Sequence, residues 1–165
     1  MRWIEETTEF ENVLKSAYTC VYIDSGRETT SLKRLTFDDA NMLTQPFREL
    51  LTVLMERSAD DKVTYVVLRP DPVYYFHHFF QKFPVVEIKN DDPPREYSRI
   101  LNENPGNSPA DAIGINWSEV VIAPASNKWF VHAFLDSGDR GGHLWIPEPW
   151  MKSISTEYPF LRDES

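Results

Sequence analysis

His132, Asp136, Asp139 and His143 are the residues whose types and spacing come nearest to chemistry in this chain. Two imidazoles and two carboxylates suffice to hold a metal ion, or to run general acid–base catalysis, if the chain folds back between them. A tight two-residue turn at Ser137-Gly138 would set His132 directly across from His143, and Asp136 across from Asp139. Gly141 and Gly142, just after Arg140, argue instead for a longer, open loop, which shifts the register and separates the histidines. The expectation is a solvated loop between paired strands. The alternative is a small hydrolase or metalloenzyme using His132 and His143 with Asp136 or Asp139.

The other reactive side chains carry less. His77 and His78 are adjacent, so on a helix they point about 100° apart and suit two environments instead of one metal. Cys20 is the single cysteine; no internal disulfide can form, and a reducing compartment fits. The loop SGDRGG lacks the Lys-Ser/Thr ending and the strand–helix context of a phosphate-binding loop. No nucleophile elbow, HExxH helix, EF-hand or zinc knuckle is present. No catalytic residue, metal or cofactor is therefore assigned.

The elements that would position these residues are legible from periodicity. Phe10, Val13 and Leu14 share one helical face in the stretch Thr8 to Ser16. Tyr18 to Asp24 is rich in β-branched and aromatic residues and reads as a buried strand that ends in a turn at Gly26. The strongest helix follows Pro46, which falls in the first turn, where a missing N–H costs nothing. Leu43, Phe47, Leu50, Leu51 and Leu54 line its apolar side, and Arg48 and Glu49 begin its polar side. Val63 to Leu68 is a continuous apolar run too short for a helix, hence a central strand.

Asp71-Pro72 is a helix-start signal, with Val73, Phe76, Phe80 and Phe83 expected inward. Val85 to Lys89 is another strand, and a helix after Asp92-Pro93-Pro94 buries Tyr97, Ile100 and Leu101. Asn102 to Pro109 is loop, too short to separate domains, and Ser108 to Asp111 has the form of a capping box. Glu119 to Ala123, Trp129 to Leu135 and His143 to Ile146 form a β-meander. Both faces of its middle strand are apolar, which places that strand inside the sheet. Pro147 opens a last helix through Trp150, Met151 and Ile154, and the tail docks by Tyr158, Phe160 and Leu161. The fold class is α+β: residues 1–165 as a single domain, with a mixed or mostly antiparallel sheet, a C-terminal β-meander and several packing helices.

Composition bounds the partners. The formal net charge is −9, from 26 acidic against 17 basic residues, so a direct grip on a phosphate backbone would work against the overall field and nucleic acid is not expected. MRWIEETTEFE has no signal-peptide core, and no window approaches about 18 consecutive apolar residues. No membrane association is expected, and the cytoplasm is the expected compartment. Five tryptophans and twelve prolines exceed what a core of this size needs, and tryptophan is enriched where proteins bind proteins. The alternative is that Trp117, Trp129 and Trp145 all pack one sheet face against helices.

The C-terminal half, from DPVYYFHHFFQKFP through NWSEVVIAPASNKWFVHAFLDSGDRGGHLWIP, resembles small acidic immunity proteins of bacterial polymorphic-toxin and contact-dependent inhibition systems. The shared features are an x-V-V-I-x-P strand, a turn, a K-W-F-V-H-A-F strand and a short return strand with Trp. That resemblance implies a cytosolic, single-domain, non-enzymatic inhibitor that binds a toxin domain through acidic and aromatic residues. The expected partner is thus a protein, a basic toxin domain, met by Asp136, Asp139, Trp145 and Glu148 around the loop.

Overall fold

The computed structural model describes residues 1–74, 82–102, 113–114, 117–136 and 139–164, the side chains of Asp136, Asp139 and Arg140 excepted. Among the described residues seven strands form one sheet: β1 (Arg2–Trp3), β2 (Lys33–Phe37), β3 (Lys62–Arg69), β4 (Val85–Lys89), β5 (Glu119–Ala123), β6 (Phe130–Asp136) and β7 (Asp139–Ile146). Their order is β1-β4-β3-β5-β6-β7-β2, and every pairing is antiparallel. The α+β expectation holds, and the antiparallel character extends past the C-terminal meander to the whole sheet.

Helices cover both faces, which is why β3 can be apolar on consecutive residues. On one face, Leu35, Val63, Tyr65, Val67, Ile122, Val131 and Leu144 pack under α2 (Gln45–Ser58), α3 (Pro94–Leu101) and α4 (Met151–Glu157). On the other, Val66, Val85, Val121 and Phe130 pack under α1 (Thr7–Asp24). Tyr158 and Leu161 are buried as expected, and Phe160 packs beside them. Among the described residues no helix is long and apolar enough to cross a membrane.

α1 corrects the reading of Tyr18 to Asp24 as a strand. The helix runs on from Thr7 through Asp24, because Phe10, Ala17 and Cys20 keep the helical period and are all buried against the sheet. Residues of high β-propensity in its last two turns yield to that tertiary contact. Glu6 caps its start, accepting from Glu9 N–H at 2.7 Å.

α2 begins as the proline predicts, with Thr44 as N-cap and Pro46 in the first turn. Leu43 falls outside it, at the end of a short 3-10 turn (Asp39–Leu43), and is 40% exposed. Arg48, expected on the polar side, is buried: its guanidinium reaches across to the carbonyls of Lys89 and Asp92, each at 3.0 Å. Val73, expected inward, is exposed, although Asp71 does cap the start of its turn by accepting from the Val73 and Tyr74 N–H groups. Phe76, His77, His78 and Phe80, and the capping box at Ser108 to Asp111, lie outside the described residues.

The three strands of the meander are present, but the last begins at Asp139 and not at His143, and the register is corrected with it. His132 stands opposite His143 and Asp136 opposite Asp139, the pairing of a tight turn and not of a longer loop. Gly141 and Gly142 belong to β7. Gly142 is glycine for a packing reason: β2 lies alongside, and a Cβ at this position would run into the ring of Phe37, its cross-strand partner. The tryptophans divide between the faces, Trp117 and Trp129 in the larger core and Trp145 against the smaller.

Candidate functional site

Asp24, the last residue of α1, is the hub of a polar cluster set into the smaller core. A carboxylate at a helix C-terminus faces the negative end of the helix dipole, so it needs compensating donors. It receives three. His132 Nδ1 lies 2.6 Å from Oδ2, His143 Nδ1 lies 2.8 Å from Oδ1, and Trp145 Nε1 donates to Oδ1 at 2.6 Å. The antiparallel pleat supplies this arrangement: His132 on β6 and His143 on β7 are direct cross-strand partners on the α1 side of the sheet, and Trp145 is two residues further along the same face.

The other ring nitrogen of His132, Nε2, lies 2.9 Å from Oε1 of Glu119 on β5. The second oxygen of Glu119 meets Arg69 Nε at 3.0 Å, and Arg69 stands at the surface, 73% exposed. The result is a chain of alternating charge, Asp24, His132, Glu119, Arg69, running from beneath α1 to solvent. Burial opposes a positive charge on His132, but the hydrogen bonds to Asp24 and Glu119 outweigh it and raise its pKa to about 9. His132 is therefore an imidazolium at neutral pH, donating from both nitrogens. For Asp24 burial acts upward and is overcome by His132, His143 and Trp145, which hold the carboxyl far below its usual range. Glu119 is likewise lowered, first by its hydrogen bond to His132.

This geometry bears on both sequence readings. The carboxylates on the two histidines are Asp24 and Glu119, and the tight register does bring His132 and His143 together. An imidazolium with both N–H groups committed to carboxylates has no lone pair with which to take a proton or bind a metal. Among the described residues, no group of three or more His, Cys, Asp or Glu side chains is arranged to hold a metal ion. Cys20 is buried against the sheet, which pushes its thiol up to about 12 and leaves it protonated.

The four residues singled out for partner binding separate into two places. Trp145 and Glu148 line one cavity of about 650 Å³ beside Arg34 and Lys152. Asp136 and Asp139 sit at the far end of the β6–β7 hairpin, six residues along the strand from Trp145, roughly 20 Å away. Trp145 is half-buried, its indole N–H is committed to Asp24, and its ring stacks on Phe130 at 5.9 Å.

Sequence reasoning missed Asp24, Glu119 and Arg69. The signal for Asp24 was the helical period Phe10, Ala17, Cys20, Asp24, hidden by the β-rich composition of the same residues.

Two further surface features matter. Glu56, Asp60, Asp61 and Asp91, with Lys89, line a cleft of about 670 Å³ between the end of α2 and the β4 turn. Tyr18 and Tyr22 are both 38% exposed and stack at 6.3 Å on the outer face of α1. No protein-family model, no curated protein and no solved structure matches this chain.

Proposed function

We propose that this chain is a non-enzymatic protein-binding protein, an immunity-type inhibitor that neutralises a cognate basic toxin domain. The observation that carries this reading is the cleft at the end of α2, where four carboxylates face one lysine in a chain of net charge −9. Such a cleft suits arginine and lysine side chains of a partner and disfavours nucleic acid. Asp136 and Asp139 stand at the opposite end of the sheet from this cleft, so their part is long-range steering, and Trp145 and Glu148 belong to a separate cavity. The stacked tyrosines of α1 offer rigid amphipathic area of the kind that anchors interfaces. The bonding of both His132 ring nitrogens to carboxylates supports a binding role over an acid–base one.

The test is co-expression with the product of the neighbouring gene. The expected result is a stoichiometric complex and loss of that product's toxicity, both weakened by the double reversal Asp60→Lys/Asp61→Lys. Stoichiometric metal in the purified protein, lost on His132→Ala with the fold intact, would instead establish the metalloenzyme reading.

A further inference from the structure

β2 is an edge strand, and its outer side is only half used. Thr36 exchanges two backbone hydrogen bonds with Arg162, Thr36 N–H to Arg162 O and Arg162 N–H to Thr36 O, each at 2.8 Å. The outward groups of an antiparallel strand recur every second residue, so the Arg34 N–H and C=O face the same side. Among the described residues nothing on that side bonds to them. Arg162 to Glu164 thus lie over the edge as a strap that pairs once and then leaves it. One more pair would set Glu164 opposite Arg34; instead the Glu164 carboxylate accepts from Thr36 Oγ1 at 3.0 Å. We propose that the outer edge of β2 is a docking site for an extended acidic segment of a partner protein, which displaces the strap and adds as a further strand along Arg34 and Thr36.

Charge selects the occupant. Lys33 and Arg34 are exposed on the edge, and with Lys152 they line the cavity of about 650 Å³ beside it. The carboxylates of that cavity are Glu148, Asp163 and Glu164, of which the last two belong to the strap. When the strap lifts they leave with it, and Lys33, Arg34 and Lys152 face Glu148 alone among the lining acids. An acidic strand restores the balance by placing a carboxylate opposite Arg34. A second copy of this chain does the reverse, since pairing edge to edge would crowd Lys33 and Arg34 of both copies together.

The surroundings suit a strand. Arg34 shares its face of the sheet with Trp145, its cross-strand partner on β7. On the other face Met151 packs against the larger core and lines the cavity, so apolar side chains flanking the acid have a surface to cover. Lifting the strap removes no core side chain: Leu161 is buried and stays as its anchor, whereas Arg162, Asp163 and Glu164 are exposed. The strap itself shows the mode of recognition, with backbone bonds to the edge and a carboxylate laid along it.

The experiment is an amide-NMR titration of the full chain with the peptide acetyl-Thr-Val-Glu-Val-Glu-Val-Thr-amide, and with its counterpart carrying lysine at both glutamates. The expected result is saturable shifts at Arg34, Thr36 and Arg162, a gain of exchange protection at the Arg34 N–H, and binding of the lysine peptide at least about fivefold weaker. Arg162→Pro, which removes one strap bond at an exposed residue, should tighten the glutamate peptide at least about threefold. Arg34→Glu should reverse the preference between the two peptides. Both side chains are exposed, so the fold stays intact, which the unliganded spectra verify. No saturable shift at β2 in Arg162→Pro, or no added protection at the Arg34 N–H, would overturn the site. Equal binding of the two peptides, or a preference unchanged by Arg34→Glu, would overturn the acidic assignment. Shifts at β2 that follow protein concentration without peptide would make the occupant a second copy and overturn the partner assignment. None of these outcomes depends on whether a toxin partner exists.

Discussion

Asp24 and His132 stand 108 residues apart in the chain and meet at 2.6 Å, joining the last residue of α1 to the middle of β6. This contact, with Glu119 on the other ring nitrogen, places a buried imidazolium between two carboxylates.

The pH dependence of stability follows from that contact. The pKa of His132 is raised from 6.5 to about 9 on folding, so its contribution is complete below about pH 6.5 and is lost as pH rises through about 9. The full span corresponds to about 3 kcal/mol at most. Asp24 and Glu119 are lowered on folding; their contribution is present above the ordinary carboxylate range and is lost as pH falls below it. Urea unfolding should therefore show greatest stability between about pH 5 and pH 6.5, with a decline toward about pH 9. His132→Gln should lower stability near about pH 6 and flatten the alkaline decline. An alkaline limb of unchanged slope in that variant would show that another group causes it. Arg69, His143 and Trp145 face the same cluster and remain in place in the comparison.

Gly142→Ala should destabilise the protein by about 1–3 kcal/mol, because the new methyl must displace the packed ring of Phe37. Gly141→Ala meets only the Phe37 carbonyl, at 3.5 Å, and should be close to neutral. Thermal or urea denaturation of both variants checks this. Phe37→Leu combined with Gly142→Ala should cost less than the sum of the two changes, a coupling that a double-mutant cycle reads directly.

Ala59 terminates α2 in the left-handed region, at φ 58°. A Cβ is unfavourable there, and glycine is the usual occupant. Ala59→Gly should raise stability by roughly 0.5–1 kcal/mol, seen as a higher denaturation midpoint at unchanged slope. A lower midpoint would mean that the alanine methyl packs usefully.

For the proposed partner, Asp136→Lys/Asp139→Lys should slow association at low salt and have little effect at high salt, since charges at a hairpin end steer encounter. Asp60→Lys/Asp61→Lys, inside the acidic cleft, should act mainly on dissociation. Stopped-flow binding at two ionic strengths separates the two. Equal association rates for wild type and the hairpin variant at low salt would remove the hairpin from the interface.

Local patterning alone determined much of this protein. The apolar runs of β3, β4 and β5, the proline-started α2 and α3, the meander and the docking tail are all short-range consequences of periodicity and capping. Tertiary structure decided the rest. The C-terminal half of α1 is helical because Ala17 and Cys20 meet the sheet, against the β-propensity of their neighbours. β2, unmarked by strong alternation, is a strand because β7 pairs with it. The fit of β2 against β7 depends on Gly142 lying beside the Phe37 ring, a contact between residues 105 positions apart in numbering. Asp24 joins His132 and His143 for the same reason: hydrogen bonds and burial act through space, and no local spacing encodes which distant carboxylate a histidine will meet.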